Sequence, residues 1–68
     1  MNKALFKKEL KRKKIKQKDL AVILGLTEQS ITNKIGEVRS EFTSSEIRKL
    51  KTELELTDEQ VIAIFFKD

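Results

Sequence analysis

Two carboxamides, Gln29 and Asn33, stand four residues apart in the stretch GLTEQSITNK, residues 25–34. A carboxamide carries a hydrogen-bond donor and an acceptor side by side. It can engage any partner that offers the reverse pair, as the N6 and N7 edge of adenine does in the major groove of a duplex. Ile31 and Ile35 belong to the same stretch. At about 100° per residue, a helix that turns both isoleucines inward points both amides nearly the opposite way. Thr27, Glu28, Ser30 and Thr32 add hydroxyls and one carboxylate to the same segment.

Other chemistries are thinly represented. The chain of 68 residues has neither Cys nor His, so a disulfide framework, thiolate or imidazole metal ligands and the commonest acid–base group are all missing. No Ser/Lys or carboxylate arrangement stands apart from the helix caps. The expectation is a protein that is not an enzyme, with no cofactor, no metal and no small-molecule substrate.

Charge is unevenly spread. Residues 1–19 hold nine Lys/Arg against Glu9 and Asp19, a balance of +7; the net charge of the whole is +4, which leaves −3 for the rest. A one-sided basic surface suits a polyanion, either nucleic acid or an anionic membrane, and the plain alternative is a solvated lysine-rich helix. The opening MNKALFKKELKRKK lacks the apolar core of a signal peptide, and no apolar run approaches the ~18 residues that cross a bilayer. The expected location is the cytoplasm.

The elements that must hold the amides are legible from caps and spacing. Pro is absent and Gly occurs only at 25 and 36, so the punctuation is helical and a single domain, residues 1–68, is expected. Asn2 is a good N-cap for a first helix that carries Leu5, Phe6 and Leu10 inward and ends near Lys13 or Lys14, with Ile15 tucking in behind. A second helix runs from about Gln17 to Leu24, with Leu20, Ala21 and Leu24 at helical spacing and Gly25 as its stop. Thr27 caps a third, with Leu26 and Ile31 as a hydrophobic staple. Thr43 with Glu46 and Thr57 with Gln60 are capping boxes, stapled by Phe42/Ile47 and Leu56/Val61. They predict a fourth helix over 44–54 and a fifth over 58–66, with residues 36–42 as the one substantial loop.

Gln17-x-x-Leu20-Ala21-x-x-Leu24-Gly25-Leu26-Thr27-x-x-x-Ile31-Thr32 resembles the helix-turn-helix of the phage repressor/Cro superfamily, and the likeness extends along the whole chain. The stereochemistry agrees: Ala21 is small where two helices would cross, and Gly25 tolerates a positive φ. The resemblance implies an all-α, compact five-helix bundle of the lambda-repressor-like type, with the motif at helices two and three. It implies a sequence-specific double-stranded DNA-binding transcriptional regulator, working in a bacterial host on a palindromic operator with helix three in the major groove. Base contacts would then fall to Glu28, Gln29 and Asn33, flanked by Thr27 and Thr32. For Glu28 the competing role is to stabilise the helix dipole from the first turn. Phosphate contacts would fall to Gln17 at the start of helix two, to Lys14, Lys16 and Lys18, to Ser30, and to Lys34 and Arg39 after the reading helix. The chain also departs from the family pattern. Lys16 replaces the usual Ser/Thr cap, Lys34 stands where relatives carry an apolar residue, Gly36 replaces an amide-bearing residue, and Val22 and Ile23 are apolar where relatives are charged.

Helix five brings Val61, Ile62, Ile64, Phe65 and Phe66 within six residues, more than one face can bury. Either the whole stripe is core, or the surplus, especially Ile62 and Phe66, forms a homodimer contact. A symmetric dimer would set two reading helices about 34 Å apart, one turn of duplex. A second use that fits the composition is a protein-interaction module of antitoxin or antirepressor kind, favoured by Val22, Ile23 and the Phe-rich end; a third, a basic amphipathic segment on an anionic membrane, is opposed by the compact caps, and no membrane partner is expected.

Overall fold

Short amphipathic segments of this length gain most of their stability from burying one face, so each helix is fixed by what it covers. The computed structural model describes residues 1–37 and 40–66. Five helices follow in order: α1 (Lys3–Arg12), α2 (Gln17–Leu24), α3 (Glu28–Gly36), α4 (Ser44–Glu53) and α5 (Asp58–Val61), the last running on as a π-helical segment (Ile62–Phe66). The fold of the described residues is all-helical, and the elements gather into one compact globule. α2 packs on both α3 and α4, and the π-helical segment packs on α1.

The starts of the helices follow the sequence chemistry. Oδ1 of Asn2 accepts from the Leu5 N–H at 3.0 Å, and the Thr27 hydroxyl accepts from the Ser30 N–H at 3.1 Å. Thr43 and Glu46 close a reciprocal box, with Thr43 N–H to Glu46 Oε1 at 2.9 Å and Glu46 N–H to Thr43 Oγ1 at 3.2 Å. Thr57 and Gln60 close another at 2.9 and 3.1 Å. At α2 the Lys16 side chain caps nothing, but the Asp19 carboxylate accepts from the Lys16 N–H at 2.9 Å, which supplies half a box from the other side.

The helix ends carry the departures. Gly25 adopts φ +67°, and the Leu26 N–H returns to the Ala21 carbonyl at 2.9 Å in a Schellman turn. Lys14, Glu37 and Glu55 take the same left-handed conformation at the ends of α1, α3 and α4. Each costs roughly 1 kcal/mol relative to glycine. The Schellman bonds from the Ile15 N–H to the Leu10 carbonyl (2.8 Å) and from the Leu56 N–H to the Lys51 carbonyl (2.9 Å) hold two of them in place. Gly36 is not the residue that turns: it completes α3, and Glu37 caps it.

Under these helices lies one apolar cluster. Phe6, Leu20, Ile31, Leu50 and Ile64 are fully buried, with Leu10, Ala21, Ile35, Phe42, Leu54 and Leu56 around them. The rings of Phe6, Phe42 and Phe65 meet edge-on or tilted with centroids 5.6–6.0 Å apart. That cluster joins the start of the chain, the segment before α4 and the π-helical segment, and the Asn2 N–H on the Ile64 carbonyl at 2.6 Å adds a backbone tie. The expected continuous fifth α-helix is therefore half right in kind: its last five residues widen to π spacing. Ile64 goes to the core and Phe65 to the aromatic cluster, while Ile62 and Phe66 face outward.

A Cβ added at Gly25 meets nothing within 4 Å, so a substitution there is penalised by backbone conformation alone. Gly25→Ala is expected to destabilise the fold by about 1 kcal/mol, read as a lower urea midpoint with an unchanged slope. A loss of several kcal/mol would mean that the site is crowded as well as strained.

Candidate functional site

Helix α3 is rotated by its own core contacts. Ile31 is fully buried and Ile35 nearly so, while Thr27, Glu28, Gln29 and Thr32 are exposed and Asn33 is half-exposed. The two amides bond to each other across one turn, Gln29 Nε2 donating to Asn33 Oδ1 at 3.1 Å. In that arrangement the Gln29 side-chain oxygen and the Asn33 NH₂ have no other protein partner among the described residues. The pair thus leaves an acceptor and a donor one helical turn apart, chemistry that suits a partner with the reverse hydrogen-bond pattern rather than bare charge.

A second bond ties this strip to α2. The Thr32 hydroxyl shares its proton between Gln17 Oε1 (3.0 Å) and the Glu28 carbonyl (3.1 Å). Gln17 is the first residue of α2, so the N-terminus of that helix and the middle of α3 meet at one point of the surface. The geometry requires the tight three-residue connection Gly25–Thr27, which the left-handed Gly25 makes possible. Sequence spacing did not reveal this contact, because its partners are fifteen residues apart and on different helices.

The remaining residues divide. Lys14, Lys16 and Lys18 are exposed beside the α2 start and engage in no ion pair among the described residues. Ser30 is half-buried and committed to the cap: its N–H donates to the Thr27 hydroxyl, which in turn donates to Ser30 Oγ at 3.1 Å. Glu28 lies in the first turn of α3, where its charge suits the helix dipole.

Lys34, expected as a phosphate contact, is turned away from the strip. Its side chain is only 13% exposed, and its ammonium sits 3.0 Å from Glu46 and 3.2 Å from the Glu41 carbonyl. The physical reason is competition: Glu46, already fixed as the N3 residue of the α4 box, offers a rigid carboxylate that a solvated lysine would otherwise lack. Arg39, the other contact expected after α3, lies outside the described residues.

Ile62 and Phe66, expected as surplus apolar residues, are 48% and 65% exposed. Val22 is exposed at 83%, whereas Ile23 packs half-buried against the core. No helix among the described residues is long and apolar enough to cross a membrane. Set beside protein-family models, curated proteins and solved structures, the chain matches none of them.

Carboxylates tie the scaffold together. Burial pushes the Glu46 carboxyl up, but the Thr43 N–H and the Lys34 ammonium outweigh it and hold the group below the usual range. Glu9 beside Arg12, Glu37 beside the terminal ammonium and Asp58 beside Lys51 are lowered too. A carboxylate whose pKa is lower in the folded chain favours folding above its unfolded value, about 4.3 for Glu and 3.9 for Asp, and that contribution is lost as pH falls through the folded value. Stability is therefore expected to decline on acidification below about pH 4.5. Glu46→Gln should flatten part of that slope and cost about 1 kcal/mol at neutral pH, because the ammonium of Lys34 loses its partner. Urea midpoints at neutral pH and at pH near 3 check both points; an unchanged acid slope in the variant would contradict the role given to Glu46.

Proposed function

We propose that this chain is a sequence-specific double-stranded DNA-binding regulator of the phage repressor/Cro kind, with α2 and α3 as a helix-turn-helix and α3 lying in the major groove. What carries the reading is the outward Gln29–Asn33 strip, opposite the buried Ile31 and Ile35 and joined through Thr32 to Gln17 at the start of α2. Each carboxamide has the adjacent acceptor and donor that complement adenine N6 and N7, and each good bidentate contact discriminates by about 1–3 kcal/mol. Thr27, Glu28 and Thr32 flank the readout. Gln17, with the free N–H groups at the α2 start and with Lys14, Lys16 and Lys18, grips the phosphates and sets register and salt dependence. Lys34 has no part in this interface.

The working form on an operator is a homodimer joined through Ile62 and Phe66. Their exposure supports this: Phe66 leaves most of its ring outside a core that already contains three other phenylalanines. Such a dimer presents two copies of α3 to successive turns of a palindromic site in the cytoplasm of a bacterial host, and the regulatory effect is the exclusion of polymerase.

A second reading draws on Val22, an apolar side chain on α2 with no core partner and the most exposed large hydrophobic residue described. On that reading the same scaffold binds another protein, as an antitoxin or an antirepressor does. Tight heteromeric association with no duplex affinity at moderate salt would favour it.

With a duplex selected from a random pool, Gln29→Ala and Asn33→Ala are each expected to weaken binding by about 1–3 kcal/mol while leaving affinity for unrelated duplex nearly unchanged. Equal losses on both duplexes would contradict base reading by α3. Each of Lys14→Gln, Lys16→Gln and Lys18→Gln should instead weaken binding to both duplexes and reduce the salt slope by about one.

The dimer is tested separately by sedimentation. Phe66→Ala should shift the chain toward monomer, since removing an exposed ring costs the core little. Equal masses for parent and variant at every concentration would rule out that contact.

A further inference from the structure

Between α1, the α1–α2 connection and α3 lies an open groove of about 590 Å³. Its floor is apolar, made by Leu10, Ile15 and Ile35, and Lys7 and Lys11 stand over it from α1, one helical turn apart. Lys14 and Lys16 face them from the connection, and Gln17 lines the α2 end. None of the four lysines is in an ion pair among the described residues, and no carboxylate lines the groove. Like charges gathered over a low-dielectric floor raise the local potential and draw in an anion. The floor asks for something more than an anion, because a bare phosphate or a duplex backbone gains nothing from Leu10, Ile15 and Ile35. The volume falls in the range of small-molecule sites, roughly 300–1,000 Å³.

We propose that this groove binds a small anionic amphiphile, with an apolar body against Ile15 and an anionic head held by the lysine rim. The site does not depend on the DNA reading. One consequence does rest on it: Lys14, Lys16 and Gln17 line the groove and also serve the phosphate contacts, so ligand and duplex exclude each other.

The test is a titration of the full, isotope-labelled chain with octyl phosphate below its micelle threshold, beside octanol, octylammonium and inorganic phosphate. Octyl phosphate should saturate, with amide shifts centred on Leu10, Ile15 and Ile35. Octanol and inorganic phosphate should each bind at least about tenfold more weakly, and octylammonium not measurably. The double variant K7Q/K11Q, at exposed positions outside the DNA contacts, should weaken octyl phosphate about tenfold and leave the fold intact. Octanol as tight as octyl phosphate would remove the role of the rim, and inorganic phosphate as tight would remove that of the floor. Shifts centred on Val22 or on Ile62 and Phe66 would place binding elsewhere, and any of these results overturns the proposal. Adding a selected duplex separates the two readings. Octyl phosphate that binds in the groove of a chain with no duplex affinity leaves the groove standing and the DNA reading fallen. Duplex binding by a chain whose groove ignores octyl phosphate does the reverse.

Discussion

Ile31 and Ile35 lie on one face of α3, and both are withdrawn from water almost completely. Burying an isoleucine side chain is worth roughly 1.5–3 kcal/mol, so the two together set the rotation of this short helix by several kcal/mol. The Gln29–Asn33 bond on the far side is an exposed i,i+4 pair, worth about 0.2–0.5 kcal/mol. The magnitudes decide the direction of cause: the core orients the amides, and their mutual bond only tidies them. Turning α3 by one residue would expose both isoleucines. The outward strip is thus a consequence of packing, and the proposed chemistry inherits its geometry from Leu20, Ala21 and the other side chains beneath.

The same core explains why so small a chain has a defined surface. Phe6, Phe42 and Phe65 draw the first helix, the segment before α4 and the chain's last described turn into one cluster, so elements far apart in sequence are fixed relative to each other. Hydrogen bonds close what packing leaves open. The capping boxes at Thr43 and Thr57 satisfy backbone donors that would otherwise face water or each other. Glu46 does double duty, capping α4 while holding Lys34. That second task pairs off one positive charge near α3, while Lys14, Lys16 and Lys18 stay exposed beside the start of α2.

How much of this was legible beforehand depended on distance along the chain. The starts of α1, α3, α4 and α5 were readable because a cap and its target lie within three residues, and the turn at Gly25 because only glycine enters the left-handed region without cost. The ends of α1 and α4 fell close to where the apolar spacing stopped, but the left-handed backbone at Lys14, Glu37 and Glu55 was not readable, since nothing local marks a residue that accepts strain for the sake of a tertiary arrangement. The widening of the last helix into π spacing was hidden for the same kind of reason: five apolar residues in six fit any helical period, and the contact with Phe6 and Phe42 selects one. In the candidate site, the amides and their buried counterparts followed from periodicity. The Thr32–Gln17 bond and the capture of Lys34 by Glu46 did not, because each joins residues on different helices.

The proposed DNA reading puts the outward amides of α3 against nucleotide bases. The most direct measurement follows the side-chain NH₂ resonances of Gln29 and Asn33, assigned through Gln29→Glu and Asn33→Asp, as a selected duplex is added. On this account both pairs of resonances shift strongly and exchange more slowly with solvent, with smaller changes for a duplex of unrelated sequence. Amide resonances that stay in place while the chain binds duplex through another face would contradict it.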